Sequence, residues 1–144
     1  MSDGPLIPVI DEDAAPFFEA ARRGELRVQR CSRSGRLVFP PRALSPFAPE
    51  APLEWVRVAG RGTIWSFAVP HPPLLPYYAA LAPYNVVVVA LDEDPSVRLV
   101  GNLVARPGGS IGEIRPAAIR IGAAVRAVFE PLSPDLAIPR WIPL

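Results

Sequence analysis

The first periodic stretch of the chain, AAPFFEAARR, places Phe17, Ala20 and Ala21 on one face, with Glu19, Arg22 and Arg23 largely solvated. That spacing predicts a helix over residues 14–23. Asp13 is placed to cap it, Pro16 suits its first turn, and Gly24 follows as a stop. Phe17 and Phe18 are neighbours and cannot point the same way, so one is expected inside and the other open to a partner. After Gly24 the period shortens. LRVQR at 26–30 alternates, and RLVFP at 36–40 predicts a second short strand. CSRSG between them reads as a tight turn, with Gly35 free to take a positive φ. Pro40, Pro41 and Arg42 then open a loop expected to lead to Trp55.

From Trp55 onward the pattern is that of strands. TIWSFAV at 63–69 puts Trp65, Phe67 and Val69 on one face. NVVVVALDE at 85–93 is the most β-prone segment, and its four consecutive valines predict burial on both faces. VRLVGNLVA at 97–105 carries Gly101 as an expected bulge or bend, and AAVRAVFEPL at 123–132 is a further strand. Asp92–Ser96 and Gly108–Gly109 read as turns, residues 116–121 as one short turn, and IPRWIPL as a tail. The loop PHPPLLPYYAALAP at 70–83 exceeds a hairpin turn and is a candidate functional segment. Four or five short strands with glycine bends and one long loop suit a small barrel. The five-stranded OB barrel fits best, and an SH3-like barrel would read similarly.

Composition narrows this picture. The chain has 144 residues, half of them hydrophobic, enough for one compact core. Twenty prolines argue against long helices. A net charge of +1 argues against a strong grip on nucleic acid or an anionic membrane. All fifteen basic residues are arginine, which excludes Schiff-base or P-loop lysine chemistry. The start MSDGPLIPVIDED does not read as a secretory signal, VVVVAL is too short to span a bilayer, and one cysteine allows no internal disulfide. The expected location is cytoplasmic.

Candidate chemistry concentrates in CSRSGRLVFPPRALSPFA, residues 31–48. Cys31, Ser34, Ser45 and Ala48 have the spacing of the two knuckles of a zinc ribbon. Only Cys31 offers a thiolate; serine hydroxyls stay protonated near neutral pH, and alanine offers nothing. No metal is expected, and Cys31 reads as a small buried residue. A Cys31 nucleophile would need a base, and the single histidine, His71, lies forty residues away on the proline loop. No triad, HExxH, GxSxG, P-loop or GxGxxG pattern is present. Arg30, Arg33, Arg36 and Arg42 make this the most basic segment, and guanidinium groups suit a phosphorylated small ligand.

Taken in order, APFFEAARRGELRVQRC, CSRSG–RLVFPPR, SPFA, GRGTIWSF, VVVVALDE, VRLVGNLV, IRIGAAVRAVFE and PRW resemble the acyl-CoA-associated zinc-ribbon plus OB-fold family, domain of unknown function family thirty-five. The likeness runs from about Pro5 to the C-terminus. It implies a mainly β chain: an N-terminal helical arm (1–25), a rubredoxin-like ribbon (26–55) and an OB barrel (56–144); the chain departs from the family at Ser34, Ser45 and Ala48, so the ribbon is expected without metal. It implies a non-catalytic accessory subunit of an acyl-CoA-processing complex. The partner would be a thiolase-like or lipid-transfer-type protein, with a MaoC-type hydratase as a further one, in sterol side-chain degradation. Arg33, Arg36, Arg42 and His71 are the candidate CoA contacts, and Phe17, Phe18, Tyr77 and Tyr78 the candidate partner surface. The rival readings are an OB module stacking single-stranded nucleic acid on Trp65, Phe67, Tyr77, Tyr78 and Tyr84, or a small enzyme using Cys31 or His71. Few basic residues on the strands count against the first.

Overall fold

The structure is a computed structural model that describes residues 4–144; residues 1–3, the start of the expected arm, lie outside the described residues. The arm runs without regular structure into helix α1, Ala15–Arg22. Its start is held by Asp11, not Asp13. The Asp11 carboxylate accepts the Ala14 N–H at 2.9 Å, and its carbonyl accepts the Ala15 N–H at 3.0 Å. Pro16 sits in the first turn and Gly24 ends the helix with φ +75°. Phe17, Ala20 and Ala21 are buried and Phe18 is half-buried. Two adjacent aromatics thus leave a helix in two directions.

Strands β1 (Leu26–Cys31) and β2 (Leu37–Val38) form the expected hairpin, and Gly35 makes its turn with φ +72°. The loop expected to reach Trp55 ends in a strand, β3 (Leu53–Val58). β3 pairs antiparallel with all six residues of β1, from Leu26 opposite Val58 to Cys31 opposite Leu53. It therefore crosses the expected division at residue 55. Buried Gln29 on β1 acts as a substitute peptide group. Its amide donates to the Arg42 carbonyl and its oxygen accepts the Arg42 N–H, both at 2.8 Å, so the loop after β2 has a fixed course.

The second sheet contains β4 (Arg61–Ala68), β5 (Val86–Leu91), β6 (Arg98–Gly101), β7 (Ala124–Ser133) and β8 (Leu136–Pro143). Its order is β6-β5-β4-β7-β8, all antiparallel. The free edges meet through a parallel bridge between Leu103 and Trp141. The Val104 N–H donates to the Trp141 carbonyl at 2.8 Å, and the Trp141 N–H to the Asn102 carbonyl at 3.0 Å. That circuit is the five-stranded Greek-key OB barrel. The residues read as a tail are β8, a barrel strand. Its Pro139 and Pro143 are tolerated because one side of β8 has no continuous neighbour.

The valine run is buried on one face, with Val87 and Val89 fully enclosed, and half-buried on the other at Val86 and Val88. The single face expected for Trp65, Phe67 and Val69 is broken. The β4–β5 register shifts between Ile64 and Ser66, so Trp65 has no partner opposite it. This bulge sends Trp65 outward, 50% exposed, and turns Ile64 inward at 2%. One core spans ribbon and barrel: Leu26, Val28, Leu37 and Val58 pack in the same cluster as Ile64, Val87, Leu99 and Trp141. Gly62 marks a close approach between β4 and β5. A Cβ there would lie 2.4 Å from the Ala90 carbonyl oxygen and 2.6 Å from Val89 Cγ1. Gly62→Ala is expected to cost about 1–3 kcal/mol through forced backbone displacement, read as a lower denaturant midpoint at unchanged slope.

Candidate functional site

Two places combine unusual residues with definite geometry. The first is the pair of knuckles at residues 31–34 and 45–48. Cys31 and Ser45 are fully buried and Ala48 nearly so. The Ser34 N–H points at Cys31 Sγ at 3.5 Å. Ser45 Oγ accepts the N–H groups of Phe47 and Ala48 at 3.1 and 3.2 Å. Backbone donors thus converge on Cys31 and Ser45 as they would on metal-bound sulfurs. The side-chain hydrogen bonds of Ser34 and Ser45, with the Ser34 N–H, pull the Cys31 thiol from 9.0 down to about 7, against the burial that raises it. This donor set does not fit the zinc of a rubredoxin-like ribbon. One thiol, two hydroxyls and a methyl do not make a tetrahedral zinc site. Among the described residues no group of three His, Cys, Asp or Glu side chains could hold a metal.

The arginines around the knuckles have separate tasks. Arg33 pairs with Glu50. Arg36 reaches the barrel: its guanidinium binds Asp94 at 3.1 Å and Ser96 at 2.9 Å and lies 4.9 Å over the Phe47 ring. Burial raises the Asp94 carboxyl, but hydrogen bonds from Ser96 and Arg36 outweigh it and hold the group below its ordinary value. The neighbouring Glu93 accepts the Ala59 N–H at 2.7 Å. The turn expected at Asp92–Ser96 therefore also pins the ribbon to the barrel. Arg42 makes no ion pair among the described residues and lines a small cleft with Phe47 and Ser96. His71 is exposed on the proline loop. Arg33 and His71 do not line the cleft that holds Arg42.

The second place is a groove of about 630 Å³ between the arm, α1 and the barrel edges β6 and β8. Phe18 and Phe39 form one wall, Leu99, Ile138 and Trp141 the floor, and Leu6 with Pro8 the rim. Phe17, Phe18 and Phe39 stack edge-on or tilted, with centroids 5.2 and 5.6 Å apart. Gly101 allows the floor to close, since a Cβ there would lie 3.1 Å from the Trp141 ring. At one end Arg140 binds Glu130 at 2.6 Å and also donates to Asn102. The Asn102 amide donates to the Asn85 carbonyl at 2.6 Å. Buried Asn85 in turn takes the Leu103 N–H at 2.7 Å and donates to the Leu103 carbonyl at 2.9 Å. The proline loop supplies α2, Pro76–Ala79. Tyr77 and Tyr78 meet there edge-on at 5.1 Å, and the Tyr78 hydroxyl accepts the Leu6 N–H at 3.0 Å, fastening the arm. Of the sequence candidates, Phe17 is a core residue, Phe18 lines the groove and Tyr78 holds its rim. Arg98, Asn102, Arg140 and Trp141 are not candidates one by one in the sequence, but the VRLVGNLV and PRW segments that carry the resemblance contain all four.

With this geometry in place, the comparisons become specific. A family model described as ChsH2, C-terminal OB-fold domain, matches residues 55–130. Another, described as ChsH2, rubredoxin-like zinc ribbon domain, matches residues 18–44. The chain belongs to the ChsH2-type DUF35 family. A solved structure described as Ltp2-ChsH2(DUF35) aldolase superposes with a TM-score of 0.75 at 33% identity, covering 95% of this chain and 98% of that one. A family member from Sulfolobus solfataricus of unknown function superposes with a TM-score of 0.58 at 12% identity, covering 92% of this chain and 86% of that one, and shares the fold. The 3-oxo-4,17-pregnadiene-20-carboxyl-CoA hydratase alpha subunit of Mycobacterium tuberculosis is 32% identical over 98% of this chain and 41% of its own length. A probable enoyl-CoA hydratase alpha subunit of Thermomonospora curvata is 35% identical over 94% of this chain and 39% of its own length. The chain thus spans about two fifths of the length of these two relatives.

Proposed function

We propose that this chain is a non-catalytic accessory subunit of an acyl-CoA-processing complex. It would support a thiolase-like aldolase or thiolase in sterol side-chain degradation by assembly and CoA placement. The observation that carries the reading is the near end-to-end likeness, at TM-score 0.75, to the chain described with the Ltp2-ChsH2 aldolase. The site chemistry supports it: Cys31 is enclosed in the knuckle, and its partners there are Ser34, Ser45 and backbone amides. A MaoC-type hydratase is the second partner proposed, in keeping with the hydratase subunits that resemble this chain. No helix among the described residues is long and apolar enough to cross a membrane, and a cytoplasmic complex fits such a chain. Arg33, Arg36, Arg42 and His71 remain the proposed CoA contacts. Arg42 is the freest of the three arginines for such a role.

The test is co-expression with the thiolase-like protein encoded nearest to this chain in its own genome. The two are expected to co-elute, and the partner to lose most of its acyl-CoA activity when produced alone. Full partner activity without this chain, together with separate elution, would overturn the reading.

A further inference from the structure

The groove opens onto the outer face of the barrel, and the two surfaces share residues. Arg98 and Val100 line the groove. Val100 is also 70% exposed, and the Arg98 guanidinium lies 3.7 Å above the ring of Trp65, which the bulge in β4 turns outward. On the opposite rim the arm adds Leu6, 64% exposed, and Pro8. Single exposed apolar residues are ordinary on a protein surface; a set of them around one apolar groove marks a binding surface.

Charge identifies what covers it. Among the described residues no aspartate or glutamate lines the groove, and the ionised side chains lining it are Arg98 and Arg140. Arg140 is neutralised by Glu130 at 2.6 Å. Arg98 has no carboxylate partner among the described residues and rests on an indole instead. An arginine held over a tryptophan beside an apolar trough has the composition of an interface hot spot. We infer that this face, from the arm across the groove to Trp65, docks an apolar segment of a partner protein that carries a carboxylate to Arg98.

This rests on the reading of the chain as a subunit and assigns that subunit its docking face. The test uses the same thiolase-like neighbour, with binding measured by titration for the wild type and for Arg98→Glu, Val100→Asp and Arg57→Ala. Arg57 lies on β3, is exposed and does not line the groove. Arg98→Glu and Val100→Asp are expected to weaken binding at least tenfold, while melting as the wild type does, and Arg57→Ala to change it less than twofold. If both groove variants are folded and bind within twofold of wild type, the docking face is overturned while the complex stands. If the wild type does not bind the neighbour, both fall. A third outcome also overturns the docking face: cis-parinaric acid binds the isolated chain, Arg98→Glu abolishes this, and partner binding is untouched. That result would make the groove a small-molecule site.

Discussion

Trp141→Ala is expected to destabilise the chain by ~3–5 kcal/mol, the range for removing a buried tryptophan. Trp141 is 1% exposed and does three things at once. Its ring belongs to the common core and floors the groove. Its backbone closes the barrel by bonding Asn102 and Val104. Its ring also fills the space beside Gly101, whose missing Cβ lets strand and indole approach. Deletion leaves a cavity under the one seam that joins β6 to β8. Trp141→Phe retains most of the volume and is expected to cost less than half as much. Equilibrium unfolding in urea, followed by far-UV circular dichroism, measures both. A Trp141→Ala variant within ~1 kcal/mol of wild type would mean that the seam is not the stabilising element described here.

The second large effect concerns metal. Wild-type protein is expected to contain no stoichiometric zinc, and a chelator is expected to leave its melting temperature unchanged. The triple substitution Ser34→Cys, Ser45→Cys, Ala48→Cys should bind one equivalent. The reason is that the knuckles keep their shape. Cys31 is buried, and the N–H groups of Ser34, Phe47 and Ala48 already point at the ligand positions. A zinc concentration a thousand times the dissociation constant would stabilise the triple variant by about 4 kcal/mol, and chelator would remove the gain. Elemental analysis decides the matter: zinc in the wild type, or none in the triple variant, would show that the cradle has been misread. Hydrogen bonds and the shared core hold the wild-type ribbon in place of the metal-ligand bonds that hold a zinc ribbon together.

How much of this was legible in the sequence follows from how local each signal is. Helix α1 and strands β1, β5 and β7 announce themselves, because period, caps and β-branched runs lie within ten residues of each other. β3 does not, because its only regular neighbour is β1, more than twenty residues earlier, and a proline-rich loop masks its start. β8 reads as a tail because Pro139 and Pro143 argue against a strand, and only its edge position excuses them. The bulge at Trp65 is a property of pairing, so alternation within β4 alone puts Trp65 on the wrong face. Among the site residues, the knuckle positions were visible by spacing and the groove was not. Leu6, Phe18, Arg98 and Trp141 are drawn from four separate elements, and nothing short of the fold brings them together.

The parallel bridge between Leu103 and Trp141 has a further consequence, for the order in which the molecule can form. β8 follows every other strand in the chain, so during synthesis β6 stays an open edge until residue 141 has left the ribosome. Until then four strands present an unpaired ladder and an uncovered apolar floor, the features that promote association between nascent chains. The prolines spaced along β7 and β8, at 131, 139 and 143, remove backbone donors from the hairpin that completes the barrel. A hairpin depleted in this way is a poor template for a foreign strand, yet it can still zip onto its own barrel.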